Sequence, residues 1–205
     1  MAINSDVQLC NLALGHMGDF GTIESIDTPS EANELIFAKW YDITRQTWLK
    51  KVMPNFCVDR ATVAANAESD KSDFTNSYPH PSNSLKILGI GQIQDKVNDY
   101  TVEGENIYTN RDYSGGLPVR FIKDVTDISK WSPEAIIGFS WFLAEMTAME
   151  VTQNAGIFEA MAAKAKQEMV FVSGVNAQEN RPIRISNSRY RQARQSGFPT
   201  NYSKK

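Results

Sequence analysis

The chain has 205 residues, 41% of them hydrophobic and 22% charged. That is apolar material for one packed domain, or one domain with a small second layer, and an ordinary surface charge. No apolar run approaches the roughly 18 residues that cross a bilayer. Met1-Ala2-Ile3-Asn4-Ser5-Asp6 lacks the basic start and apolar stretch of a signal peptide. Net charge is -3 but unevenly split: 180–205 holds seven Lys and Arg residues and no acid, which leaves -10 for the rest. Cys10 and Cys57 lie far apart among apolar neighbours and read as buried free thiols of a protein made in the cytoplasm.

Val7, Cys10, Leu14 and Met17 recur at helical spacing after Ser5 and Asp6, either of which can cap, and Gly18 stops this first helix. Thr28-Pro29-Ser30-Glu31 predicts the start of a second helix, with a capping residue, a proline at the first helical position and a glutamate at the third. It runs through Leu35, Ile36, Ile43 and Trp48 and ends before Pro54. Trp40 and Tyr41 flank its apolar face and read as core cover.

The centre of the chain reads as β. Residues 56–63 form a candidate strand, and 66–77 (NAESDKSDFTNS) a polar exposed loop. Tyr78-Pro79-His80-Pro81 leads into a β-branched strand over 85–93. The runs 100–103 and 106–109 flank Gly104-Glu105 as a hairpin. RDYSGG at 111–116 is a turn. Over 117–123, Val119 and Phe121 alternate with Arg120 and Ile122. These strands are expected to form one small antiparallel sheet.

Ser132-Pro133-Glu134 again pairs a cap with a proline just inside the helix. The helix itself is apolar almost all round, through Ile136, Ile137, Phe139, Trp141, Phe142, Leu143, Met146 and Met149. Such a helix is buried on more than one side, in a bundle or against another subunit. Ile137, Trp141 and Met149 are the candidate subunit-interface residues. A break at Asn154 to Gly156 precedes a last helix from Ile157 to about Gly174. The pattern predicts an α+β protein in which 1–55 and 130–179 make a helical bundle, 56–129 a β-rich insertion and 180–205 an extended basic arm.

The residues offer little for catalysis. His16 and His80 have no metal-ligand partner at helical spacing, and no HExxH, CxxC, GxSxG or phosphate-binding loop occurs, so no metal, cofactor or catalytic residue is assigned. Gly89-Ile90-Gly91 begins like a dinucleotide loop, but Gln94 stands at the third glycine position; a strand with a bulge or a close contact explains it. Asp95, Asp99, Glu103 and Glu105 supply carboxylates, which read as a solvated acidic surface unless two flank a sugar. The arm has the unusual chemistry: Arg181, Arg184, Arg189, Arg191 and Arg194 are interleaved with Tyr190, and Phe198 and Tyr202 come after them. It suits nucleic-acid phosphates or a neighbouring acidic protein surface.

Asp6-Val7-Gln8-Leu9-Cys10-Asn11-Leu12-Ala13-Leu14-Gly15 resembles the opening of podovirus tail tubular protein A and related phage head-to-tail adaptors. Further likenesses occur in chain order: the long helix ending at Trp48 and Pro54-Asn55-Phe56, where Asn55 stands in place of a tryptophan; Tyr78-Pro79-His80-Pro81 before Leu85-Lys86-Ile87-Leu88; Tyr100-Thr101-Val102-Glu103-Gly104 with Ile107-Tyr108-Thr109; and the helix after Trp131-Ser132-Pro133. The resemblance covers roughly 5–180. It implies a non-enzymatic virion protein, made in host cytoplasm and placed in the tail at the capsid vertex. There a homo-oligomeric ring, usually of twelve copies, would join the portal protein to the tail nozzle or tail tube protein. DNA would pass through its channel without sequence-specific binding, and no membrane is involved. By the same resemblance the segment with Arg181, Arg184, Arg189, Tyr190, Arg191, Arg194, Phe198 and Tyr202 is a portal-docking arm. The alternatives are a nucleic-acid-binding protein that uses the basic tail and a tail-associated peptidoglycan hydrolase.

Overall fold

A computed structural model describes residues 3–67, 69, 71–91 and 100–179. Within them the protein is α+β, with four α-helices and two three-stranded antiparallel sheets. The helices are α1 (Asp6–His16), α2 (Ala32–Val52), α3 (Pro133–Thr152) and α4 (Ala155–Glu179). The strands are β1 (Val58–Val63), β2 (Asn76–Pro79), β3 (Ser84–Ile90), β4 (Tyr100–Glu103), β5 (Asn106–Thr109) and β6 (Leu117–Lys123). No helix among the described residues is long and apolar enough to cross a membrane.

α3 is the axis of the helical layer, and α1, α2 and α4 all pack on it. Its start is capped as expected, with Ser132 accepting from the Ala135 N–H and Pro133 in the first turn. Its sides are buried at Ala135, Gly138, Phe139, Phe142, Leu143, Ala144 and Ala148. Gly138 is required by packing. A Cβ there would lie 2.8 Å from Cγ2 of Val172 on α4 and 3.4 Å from the Trp48 ring. Trp48, Trp131 and Phe139 stack and edge together at 5.3 to 5.8 Å in the middle of this core.

α2 begins later than its sequence signal. Thr28 to Ser30 stay outside the helix, Glu31 is the N-cap, and Glu34 at the third position closes a capping box. The carboxylate of Glu34 is buried and accepts from the backbone N–H groups of Ser30 (2.7 Å), Glu24 (2.8 Å), Ser25 (3.2 Å) and Glu31 (3.2 Å). One side chain therefore holds the whole approach to the helix, and those four donors hold its carboxyl down at about 2. α4 is also longer than expected. It starts at Ala155 and runs past Gly174 to Glu179.

The strands form two sheets, ordered β1-β6-β3 and β2-β5-β4, where the sequence predicts one. The first sheet lies between the helices and the second sheet. Leu117, Val119 and Phe121 of β6 face a small core with Tyr78, Ile90 and Ile107, while Ile122 faces the helical core. Leu85 and Leu88 in β3 are the residues skipped in the register with β6, and each bulge turns its leucine to the helices. This places Gly89 directly after a bulge. β2 was hidden inside a polar run: Asn76 and Ser77 pair with Thr109 and Tyr108, and Ser77 and Tyr78 are buried. At the junction of the layers, Arg45 of α2 donates from Nε and Nη2 to the two Asp124 oxygens at 3.1 and 3.0 Å, and from Nη1 to Asp42 at 2.7 Å.

Candidate assembly surfaces

Ile137, Trp141, Glu145 and Met149 lie along one outward line of α3, because a four-residue step nearly repeats the helical turn. Ile137 and Met149 are each 47% exposed. Trp141 is half covered by its own chain. The His16 ring at the end of α1 stacks on it at 3.7 Å and 8°, and Lys164 Nζ of α4 lies 5.9 Å from the ring centre. His16 Nε2 and the Ser140 hydroxyl share a hydrogen bond at 2.9 Å, and that hydroxyl also reaches the Ile137 carbonyl at 2.8 Å. Burial lowers the His16 pKa. His16 thus locks α1 onto α3 and shields Trp141.

α4 packs through Met161, Ala165 and Val172 and turns the opposite flank outward. There Val170 is 69% and Phe171 56% exposed, within the uncharged stretch 169–178. Sequence reasoning did not select these two. The signal was a run of large apolar residues, 169–172, longer than one helix face can bury.

Phe20 is 98% exposed in the connection between α1 and α2. That connection is firmly pinned. Asn11 Nδ2 donates to the Ile23 carbonyl and Asn11 Oδ1 accepts from the Ile23 N–H, both at 2.8 Å. Asn33 Nδ2 reaches Asp19 at 3.3 Å, and Glu34 holds residues 24 to 31.

Concavities among the described residues include two. An apolar groove of about 410 Å³ at the start of α3 is lined by Ile3, Ile128, Trp131, Pro133, Ile136 and Ile137, with Asn4 and Ser129. A more polar cleft of about 600 Å³ lies between Asn55, Val58, Asp59, Arg60 and Glu179. Its two carboxylates are engaged: Asp59 accepts from the Arg60 N–H and Lys123, and Glu179 from Asn55 Nδ2. The Arg60 N–H first, then Lys123, hold the Asp59 carboxyl below its usual range, the reverse of what a general acid needs. Glu103 pairs with Lys71 at 3.5 Å; Asp95 and Asp99 lie outside the described residues.

Cys10 and Cys57 are buried free thiols; burial raises both, Cys57 to about 12. Among the described residues no group of three or more His, Cys, Asp or Glu is placed to hold a metal ion. Arg181, Arg184, Arg189, Tyr190, Arg191, Arg194, Phe198 and Tyr202 lie outside the described residues. No family model matches the chain, and no curated protein matches it.

Proposed function

We propose that the protein is a structural adaptor, similar to phage head-to-tail adaptors, that closes into a ring between portal and tail and leaves a channel for DNA. One observation supports this reading above the others. The helical layer is filled inside, yet large apolar side chains stand outside it on α3, on α4 and at Phe20. A heterologous contact that closes a ring needs two different sticky faces on each copy, and apolar patches rimmed by polar residues are the usual form of such faces. The net charge of -10 outside 180–205 fits a channel that repels phosphate and lets a duplex slide.

The test is electron microscopy and mass measurement of the full-length chain, alone and mixed with the portal protein of the same virion. A ring seated on the portal is expected. A chain that stays monomeric in the presence of that portal overturns the proposal. A monomer without portal does not, because the portal is the template on which the ring would close.

A further inference from the structure

Two exposed surfaces of opposite charge lie at the two ends of α2. The first is the connection from α1. Residues 1–38 contain six carboxylates and no Lys or Arg. Glu24, Asp27 and Glu31 are exposed and Asp19 is half-buried, and none of the four has an ion-pair partner among the described residues. Apolar side chains stand among them: Phe20, almost fully exposed, and Leu35, one turn past Glu31 and more than half exposed. The hydrogen bonds from Asn11, Asn33 and Glu34 hold this surface in shape before any partner arrives, so contact costs little ordering.

The second surface lies where the first sheet meets the ends of α2 and α4. Arg60 of β1 stands directly opposite Arg120 of β6. Both side chains therefore leave the same face of the sheet, and like charges so placed destabilise it. On its other side Arg120 pairs with Gly89, where an added Cβ would meet nothing within 4 Å. Lys86 of β3 reaches Met53 Sδ, just past α2, at 3.7 Å. Arg60, Arg120 and Lys86 are exposed, and none has an ion-pair partner among the described residues. The carboxylates that line the cleft beside Arg60 are engaged, Asp59 by Lys123 and Glu179 by Asn55. Phe171, more than half exposed, lies two turns before Glu179 on the same line of α4. An aromatic thus flanks the cations as Phe20 flanks the acids.

The two surfaces do not meet within one copy, because the 21 residues of α2 hold them about 30 Å apart. We infer that the acidic connection of one copy docks on the Arg60, Arg120 and Lys86 face of a second copy. Phe20 supplies the apolar centre, and the carboxylates become the partners that the opposed arginines lack. Each copy in such a pair keeps one face of each kind free, so copies add head to tail and close where the rotation allows. Nucleic-acid phosphates would also satisfy the arginines, but they leave Phe20 and the unpaired carboxylates without a role, and the net charge of -10 outside 180–205 repels them. The inference rests on the ring reading and names the faces that the ring uses.

The experiment compares full-length chains with portal present: the parent, Arg60→Glu with Arg120→Glu, and Glu24→Lys with Asp27→Lys. Each variant alone sets like charges across the contact, and its ring yield, counted by electron microscopy, is expected to fall at least tenfold. An equimolar mixture of the two is expected to recover at least half the parent yield, because alternating copies again present opposite charges at every contact. Full yield from either variant alone overturns the inference. So does a mixture no better than its parts, which is the result if the arginines bind DNA or the portal instead. The parent chain supplies a second measurement that needs no variant to fold. Raising salt from about 50 mM to about 500 mM is expected to lower its ring yield at least threefold as the charge pairs are screened, and an unchanged yield overturns the inference. A parent that forms no ring at any salt overturns the ring reading itself, whereas rings that ignore these charges overturn only the choice of faces.

Discussion

The helical layer and the strand layer dispose of apolar surface in opposite ways. Among the described residues ten large apolar side chains are exposed; nine belong to the helices and their connections, and only Val102 to a strand. Both layers have full cores, and Ile122, Leu85 and Leu88 join the first sheet to the helical one. Stability alone does not explain the surplus, because the exposed part of a Phe or Val side chain contributes no burial energy. Under the proposed adaptor reading, the difference assigns contacts with other molecules to the helical layer and leaves the outer sheet to water or a polar neighbour.

The comparison holds only if the two layers fold as one unit, and Arg45 is the place to break them apart. Its guanidinium is buried between Asp42 of α2 and Asp124, just after β6. Arg45→Ala leaves Asp124 without its main partner and is expected to cost about 3 kcal/mol or more, as breaking a buried pair does. Chemical denaturation followed by tryptophan fluorescence and by far-ultraviolet circular dichroism checks it. All four tryptophans lie outside the strands. Coincident transitions in the parent chain are expected, and separate ones would mean the layers are independent.

A smaller effect is expected within the helical layer. Gly138→Ala places a methyl 2.8 Å from a β-branched side chain, and valine has little rotamer freedom to yield. About 1–3 kcal/mol of destabilisation is expected from this overpacking, measured by the same denaturation. Ala at the exposed Gly174, where a Cβ meets nothing within 4 Å, is the control for helix propensity alone and is expected to gain about 0.5–1 kcal/mol.

Acid sharpens the role of Glu34. Its folded pKa of about 2 lies below the ordinary value near 4.5, so protonation favours the unfolded chain. The stability it supplies is complete above about pH 4.5 and is lost as pH falls toward 2. Thermal midpoints of the parent and of Glu34→Gln are expected to converge over that window and to differ most at neutral pH. A constant difference across the whole acid range would contradict the clamp.

Much of the helical layer was legible because its signals are local. Ser132-Pro133 opens α3, and the all-round apolar pattern of 136–149 announces a central helix. The misreadings have non-local causes. Thr28-Pro29-Ser30-Glu31 has the chemistry of a helix start, yet Glu34 captures the Ser30 and Glu31 N–H groups and begins the helix later. β2 carries too few apolar residues to show a period, and only its pairing with β5 makes it a strand. Gly174 looks like a stop but sits in a helix held beyond it by Asn176 and Glu179 on Asn55. At the candidate surface Ile137 and Met149 were readable from the surplus of apolar residues on α3. The cover on Trp141 was not, because His16 belongs to α1, far away along the chain.

The smallest expected effect on folding is the most telling for the comparison between layers. Val170 and Phe171 are more than half exposed, so Val170→Asp with Phe171→Asp removes little buried area from the monomer. Stability is expected to fall by about 1 kcal/mol, set by the part of each side chain that the helical layer still covers. If the outer flank of α4 meets another subunit, two carboxylates there meet a desolvated apolar surface, and association on the portal is expected to fall at least tenfold. The matching change in the strands, Val102→Asp, is expected to cost about 1 kcal/mol of strand stability and to leave association unchanged, since its side chain is the lone exposed large apolar group among the described strand residues. Analytical ultracentrifugation and electron microscopy with portal present read both. Equal losses from the α4 and β4 variants would place the contact surface across both layers and remove the distinction between them.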